Sequence, residues 1–391
     1  MLIFFLACLF ALAGYWLGKS STIHPSPPTA AALNKNYFIG LNYLLNDQPD
    51  KALQLLIQSL SVDSDTIETH LALGSLFRKR GELSRAIRIH QNLIARPNLT
   101  VIEKNQAMLA LAYDYLAAGV LDRAEQSFWI VTEDPTYRTE AYVKLIDIYQ
   151  QERRWLQAIE VALRLKKHAD PQISNALAHF HCERASVLLK EKKFSEALVE
   201  LTNAKKHQRR LSRVYLLMGD SYLQQQEVKQ ALNAYQQVQE IDPDYLSEAI
   251  PKIVHCYQQL NSPDAFGHYL EHTYQQWPRA TVSQALFDYY RQHHSMAKAT
   301  AFLTTELARQ PAPSLKSLLQ WIAAEQQQEA LIGDHQQQLT VLNAIAVKLL
   351  QHKPVYRCSH CGFAGRILFW LCPGCKHWGS IKPIHGVEGD G

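Results

Sequence analysis

Hydrophobic positions in residues 67–100 recur at helical spacing in two groups, which predicts two consecutive helices. The apolar residues are Leu73, Leu76 and Phe77, followed by Leu83, Ile87, Leu93 and Ile94. Gly81 lies between the groups and suits a turn that ends the first helix in a left-handed conformation. Gly74 and Ala86 are small enough for two helices to approach closely, and Pro97 ends the second helix because it lacks an N–H. The stretch therefore predicts one helix–turn–helix hairpin.

The same pattern recurs along most of the chain. A small residue occupies the equivalent second-helix position every 34 to 39 residues, at Ala52, Ala86, Ala124, Ala158, Ala197 and Ala231. Two weaker units follow, marked by Val254, Tyr257 and Phe266 and then by Phe287, Tyr290 and Ala299. A period of this length is typical of stacked repeats, and the unit resembles the tetratricopeptide repeat. We therefore predict an all-α fold, a tetratricopeptide-repeat superhelix (α-solenoid) over residues 33–352.

In an array of such repeats the first helices line a concave groove that binds partner segments. This geometry predicts a partner-binding face formed by Tyr37, Leu41, Leu71, Ser75, Leu109 and Tyr113. Chaperone-binding repeats hold a peptide carboxylate with Lys and Asn at two of these first-helix positions, and that pair does not occur here. We therefore expect a partner other than the tail of a chaperone.

The first residues predict a membrane anchor. Residues 2–17 carry no charge, and Lys19 follows them. As a helix, residues 1–18 span about 27 Å, slightly less than a hydrocarbon core of about 30 Å. We predict a transmembrane helix over residues 1–19 and a Pro-containing linker over residues 20–32. The alternative is a signal peptide cleaved near residues 11–13, but it lacks a charged leading segment. Because lysines flank only the C-terminal side, we expect the N-terminus outside and the body of the protein in the cytoplasm.

Charge and cysteine content narrow the class of protein. The net charge of +4 argues against a dedicated nucleic-acid-binding protein, which carries a strongly basic face. Three of the seven cysteines, Cys8, Cys182 and Cys256, are scattered in apolar or helical contexts and are expected to pack as small hydrophobic residues. The chain shows no evenly distributed set of disulfide-forming cysteines, which favours a reducing compartment.

The other four cysteines form two C-x-x-C pairs near the C-terminus, Cys358 with Cys361 and Cys372 with Cys375. Each pair offers two thiolates to one ion, and four sulfurs in tetrahedral array suit iron or zinc. We predict these four residues as metal ligands in a small β-rich domain over residues 353–391. Residues 366–370 are expected to form a strand, with Gly362 and Gly374 in the turns.

Other interpretations of the cysteine pairs are weaker. Two disulfides would be strained, and a thioredoxin-type motif needs one pair in a βαβ context. His360 and His377 are adjacent to the cysteines and are alternatives as ligands, although solvent-exposed neighbours are the simpler interpretation. Because four sulfur ligands leave no open coordination position, we expect no hydrolytic catalysis.

No sequence motif for catalysis is present, since the chain lacks a nucleophile elbow, a zinc-protease motif and a phosphate-binding loop. His179 and His181 are two residues apart on a predicted helix and point to different faces, so we do not expect them to bind one metal. We therefore predict that the protein is not an enzyme.

The whole layout resembles one family, lipopolysaccharide assembly protein B of Gram-negative bacteria. The resemblance is carried most specifically by residues 71–93, residues 178–185 and the tail from residue 356 to residue 384. It implies that the rubredoxin-type metal ligands are Cys358, Cys361, Cys372 and Cys375. It also implies that the metal domain packs against the repeats, with Trp370 and Trp378 as candidates for the contact.

The resemblance implies a function at the bacterial inner membrane. Members of the family bind the FtsH protease and promote degradation of the UDP-3-O-acyl-N-acetylglucosamine deacetylase that commits the cell to lipid A synthesis. The first alternative is a scaffold that gathers lipopolysaccharide biosynthesis enzymes, and lipopolysaccharide itself is a further candidate ligand. A second alternative is an electron carrier, because iron bound by four cysteines can cycle one electron.

Overall fold

The computed structural model describes residues 67–168, 173–309, 313–327, 334–351 and 353–387, with Ile39, Asn42, Tyr43, Gln48 and Lys51. Nearly all of these residues are helical, and a small sheet follows at the C-terminal end. In this part of the chain no helix combines the length and apolar character needed to cross a membrane. The predicted anchor, the linker and the groove residues Tyr37 and Leu41 lie outside the described residues, so these expectations remain predictions.

The chain divides into two compact units, Met1–Ile148 and Tyr149–Gly391. The described helices of the first unit are α1 (Ile67–Lys79), α2 (Leu83–Ile94), α3 (Val101–Ala117) and α4 (Leu121–Val131), and α5 (Arg138–Gln151) crosses the division. The second unit contains α6 (Trp155–His168), α7 (Ile173–Lys190), α8 (Phe194–His207), α9 (Ser212–Gln224), α10 (Val228–Ile241), α11 (Leu246–Leu260), α12 (Pro263–Gln276), α13 (Ala280–His293), α14 (Met296–Arg309), α15 (Leu315–Gln326) and α16 (Asp334–Gln351). A short 3₁₀ helix, Pro243–Tyr245, joins α10 to α11. Within each unit, sequential helices pack against one another.

The predicted hairpins are present where the structure describes them. The small second-helix residues are fully buried, namely Ala86, Ala124, Ala158, Ala197, Ala231 and Ala299. Methyl groups at these positions let the two helices of a hairpin approach with no void between them. Cys182 and Cys256 are also fully buried, and burial raises the pKa of the Cys182 thiol to about 12. Both thiols therefore act as the small hydrophobic residues that the sequence predicts.

The turns of the hairpins from α1–α2 to α9–α10 each pass through one residue with a left-handed backbone. Gly81 and Gly119 have φ angles of 80° and 71°, as a residue without Cβ allows. Arg153, Lys192 and Gln226 take the same place in later turns with φ angles of 57°, 60° and 63°. The next amide donates back across the turn in each case, for example from Lys193 to the carbonyl of Leu188 at 2.9 Å. This bond caps the helix end and offsets the cost of a side chain in the left-handed region.

Close helix contact depends on glycine in two of the hairpins. A Cβ atom at Gly74 would overlap the ring of His90, and one at Gly219 would overlap the ring of Tyr235. In both hairpins the ring belongs to the residue sixteen positions after the glycine, so the two hairpins share one packing geometry. His90 and Tyr235 are both fully buried.

The C-terminal segment forms a three-stranded antiparallel sheet in the order β2-β1-β3. Its strands are β1 (Tyr356–Cys358), β2 (Ala364–Gly365) and β3 (Ile381–Pro383). Tyr356 faces Gly365 in β2 and Pro383 in β3. The predicted strand at residues 366–370 was wrong, because these residues form an irregular loop. Its aromatic residue Trp370 packs on the helices of the second unit, so apolar character here serves that contact and not a sheet.

Gly219→Ala is expected to destabilise the protein by about 1–3 kcal/mol, because the new methyl group must displace a buried ring. In an unobstructed helix the same change would stabilise by about 1 kcal/mol. Urea unfolding of the full-length protein measures the difference. The control is the double variant with Tyr235→Leu, in which the smaller side chain relieves the overlap and the two effects are not additive. A stable single variant would contradict this account of the packing.

Candidate metal centre and its contact with the helices

Two symmetrical turns place the four cysteine sulfurs together. In the first turn the amide of Gly362 donates to the carbonyl of Cys358 at 3.0 Å. In the second turn the amide of Lys376 donates to the carbonyl of Cys372 at 2.9 Å. Gly362 and Lys376 both have left-handed φ angles, of 76° and 59°. Gly374 lies in the second turn, as expected, although Lys376 takes the left-handed position. Gly374 also leaves room for the sulfur of Cys361, which lies 3.4 Å from the position of a Cβ atom there.

The spacing of the sulfurs fits a tetrahedral ion. The Sγ atoms of Cys358, Cys361, Cys372 and Cys375 all lie within 4.8 Å of one another. The Cys358–Cys375 and Cys361–Cys372 pairs are each separated by 3.7 Å. A tetrahedron with metal–sulfur bonds of about 2.3 Å has edges of about 3.8 Å, so the arrangement needs little change to accept zinc or iron. The four cysteines therefore indicate a tetrahedral metal site.

The electrostatics of the sulfurs also favour a cation. Burial opposes the ionisation of Cys358, but hydrogen bonds with the Ser380 hydroxyl and the amides of Cys361 and His360 lower its pKa to about 5. Burial and the neighbouring sulfurs raise the pKa of Cys375 to about 12. Four sulfurs this close cannot all ionise alone, because each negative charge opposes the next. A bound divalent cation removes that conflict and allows all four to bind as thiolates.

Trp378 connects the metal domain to the helices of the second unit. Its indole stacks on the imidazole of His179, with ring centroids 4.9 Å apart. The rings of Phe180 and Trp155 are steeply inclined to the same indole, with centroid distances of 5.8 Å and 6.4 Å. The indole Nε1–H donates to Oε1 of Gln150 at 2.9 Å. An aromatic ring held on several sides and by a hydrogen bond has one preferred orientation.

Trp370 makes the second aromatic contact. Its ring lies 5.2 Å from the ring of Tyr245 and 6.1 Å from that of His179. The buried guanidinium of Arg213 lies over its face at 5.4 Å and pairs with Glu183 at 2.7 Å. The expectation that Trp370 and Trp378 pack against the repeats is thus confirmed within the second unit.

Polar contacts from β3 and β1 extend this interface. The Lys382 ammonium lies 3.0 Å from Asp242 and 2.9 Å from Asp244, at the junction of α10 and α11. The Tyr245 hydroxyl donates to the backbone carbonyl of Ile381 at 2.9 Å. The Tyr356 hydroxyl donates to Glu248 at 2.7 Å. The sequence pattern did not predict these partners, and only the apolar β3 segment with its single lysine marks the place where they attach.

The described residues of the predicted partner face lie in the first unit. Leu109 is buried, whereas Leu71, Ser75 and Tyr113 are partly exposed. Arg78 links Ser75 and Tyr113, because its guanidinium donates to the Ser75 hydroxyl at 3.3 Å and lies 5.7 Å from the Tyr113 ring centroid. The same guanidinium pairs with the buried Asp114 at 2.6 Å. Tyr113 also donates to Glu140, and burial together with this contact raises its pKa.

The side chains of His179 and His181 point to different faces of α7, as expected for residues two apart on a helix. His179 faces the metal domain, whereas His181 pairs with Glu200 at 2.7 Å and stacks on His207. Nη1 of Arg213 lies 3.4 Å from Nδ1 of His179. Because Arg can only donate, Nδ1 must accept and the proton of the neutral ring sits on Nε2. Burial and the charge of Arg213 hold the pKa of His179 well below its ordinary value of 6.5.

This histidine predicts a loss of stability in mild acid. Below pH 6.5 His179 becomes protonated in the unfolded chain but stays neutral in the folded protein. The unfolded state therefore binds more protons, and the free energy of unfolding falls as the pH falls. One such group contributes a slope of about 1.4 kcal/mol per pH unit. Denaturant unfolding between pH 7.5 and pH 5.5 measures this slope. The free energy of unfolding should depend less steeply on pH in His179→Gln than in the wild type. Equal slopes would show that His179 does not remain neutral in the folded protein.

Comparison with known proteins agrees with both parts of this architecture. The family model for the rubredoxin metal binding domain matches residues 356–383, and models for the tetratricopeptide repeat match residues 69–100 and 212–245. Among solved structures, a chain of the Naa15/Naa10 complex bound to HypK-THB has a TM-score of 0.50 and 14% identity, over 81% of this chain and 46% of that chain. This likeness supports the helical-repeat fold alone.

Curated relatives match over the full length. Lipopolysaccharide assembly protein B of Escherichia coli is 33% identical over 388 residues, covering 99% of both chains. The protein of the same name from Haemophilus influenzae is 31% identical over 396 residues, again covering 99% of both chains. With this identity along its whole length, the chain belongs to the lipopolysaccharide assembly protein B family.

Proposed function

We propose that this protein is a non-enzymatic adaptor that regulates lipopolysaccharide synthesis at the bacterial inner membrane. The observation that carries the proposal is the match to lipopolysaccharide assembly protein B over 99% of both chains. The repeats support it, because helical hairpins of this kind supply extended surfaces for binding other proteins. The four-cysteine centre supports a structural role for the metal, since a closed site has no position for a substrate.

In the proposed mechanism the protein brings the committing deacetylase of lipid A synthesis to the FtsH protease. Residues 1–19 anchor the adaptor in the membrane, with the repeats and the metal domain in the cytoplasm. Confinement to the plane of the bilayer raises the effective concentration of the adaptor beside a membrane protease, so that modest affinities suffice. The face that includes Leu71, Ser75 and Tyr113 is our candidate for partner binding, because these side chains are partly exposed.

The half-life of the deacetylase tests the adaptor function. Deleting the gene for this protein should lengthen the half-life several-fold after protein synthesis is stopped, and the wild-type gene should restore it. In cells whose FtsH is inactive, the deletion should not lengthen the half-life further, because the adaptor and the protease act in one pathway. An unchanged half-life in the first strain would contradict the proposal.

A scaffold for lipopolysaccharide biosynthesis enzymes is the alternative outcome. Photo-crosslinkers at Leu71 and Ser75 in intact membranes would separate the two functions, with the exposed Arg88 as a control position on the second helix of the same hairpin. Capture of the protease supports the adaptor. Capture of several biosynthetic enzymes without the protease supports the scaffold.

A further inference from the structure

Two histidines and Cys375 form a second group of side chains of the kinds that ligate metals, beside the four-cysteine centre. The rings of His360 and His377 stack with centroids 3.7 Å apart and an interplanar angle of 23°. Their ring nitrogens and the sulfur of Cys375 include one donor from each residue, all within 4.8 Å of one another. Both histidines are exposed and Cys375 is partly buried. Two nitrogens and one sulfur are donors that suit zinc and related divalent ions.

A backbone contact fixes which nitrogen of His377 is available. Its Nδ1 lies 3.0 Å from the carbonyl oxygen of Cys375. A carbonyl only accepts, so Nδ1 carries the proton and the lone pair remains on Nε2. Metal-binding histidines are commonly oriented in this way, with one nitrogen bonded to a carbonyl and the other to the ion.

Cys375 belongs to both groups of donors. Its sulfur lies 3.7 Å from that of Cys358 in the four-cysteine centre and is also within reach of the two imidazoles. Cys358 and Cys372 are buried, whereas the histidines face the solvent. A closed tetrahedral centre has no free position, so other donors that replace its ligands in turn ease the departure of an ion. The histidines lie where such donors are needed.

We propose that His360, His377 and Cys375 form an outer site through which a divalent cation such as zinc enters and leaves the four-cysteine centre. On departure, the bonds from the ion to the sulfurs of Cys358, Cys361 and Cys372 break. Bonds to the two imidazole nitrogens and to one water form, while the bond to Cys375 is kept. The three released thiolates take protons from the solvent, and entry reverses every step with no change in oxidation state. This inference does not depend on the proposed role in lipopolysaccharide synthesis.

The rate of metal release tests the outer site. The full-length, zinc-loaded protein is mixed with an excess of a chromogenic chelator, and release is followed by absorbance. The double variant His360→Gln, His377→Gln should release zinc about tenfold more slowly, because the ion loses two donors that would replace its sulfur ligands. Its zinc content before the chelator is added should equal that of the wild type. The control is His268→Gln, an exposed histidine on α12, which should release at the wild-type rate.

Three results would overturn the proposal. Release that is unchanged or faster in the double variant would show that the ion leaves by another path. A lower zinc content would show that the histidines are resident ligands or hold the fold. Free imidazole in the buffer provides a further check, because it should accelerate release from the double variant and not from the wild type. Equal acceleration of both proteins would also contradict the proposal.

Discussion

The stacking of Trp378 on His179 is the contact on which the second unit depends. The indole belongs to a metal domain with little core of its own, since the buried residues of its cluster are Cys358, Cys372 and Ile381. The imidazole belongs to α7, in which the adjacent residues Ala178 and Phe180 are fully buried. His179 is buried in this contact, and the residues that follow the second cysteine turn bring Trp378 onto it. We therefore expect metal binding and helix packing to be coupled within this unit.

The charges around this contact explain how a small domain is held on one face of the helices. Arg213 covers Trp370, and Lys382 bridges Asp242 and Asp244. Ion pairs at such a surface contribute modestly, about 0–1 kcal/mol each, so they orient the domain more than they stabilise it. The aromatic rings of Trp370 and Trp378 supply apolar contact, and a bound metal would supply the rigidity that a domain of this size lacks.

The sequence predicts the repeats and the metal ligands well because each rests on a local pattern. The alanines at the second-helix positions are buried by any stacking of the hairpins, and the C-x-x-C spacing alone produces a turn with two sulfurs. Other features depend on partners that are distant in sequence. The loop at residues 366–370 resembles a strand, and only the position of Tyr245 and Arg213 explains why it is not one. Likewise, the sequence around Lys376 does not indicate that the left-handed position belongs to Lys376 and not to Gly374.

Hydrogen–deuterium exchange of the full-length protein, with its metal and after chelation, tests the coupling most directly. The account predicts that removing the ion exposes the amides of the sheet and also those of α7 around His179 and of the α10–α11 junction around Tyr245. Trp378→Ala with the metal bound should expose the same helical amides while the sheet stays protected. Exchange that changes only in residues 353–387 after chelation would show that the metal domain folds independently of the helices, and would contradict the account.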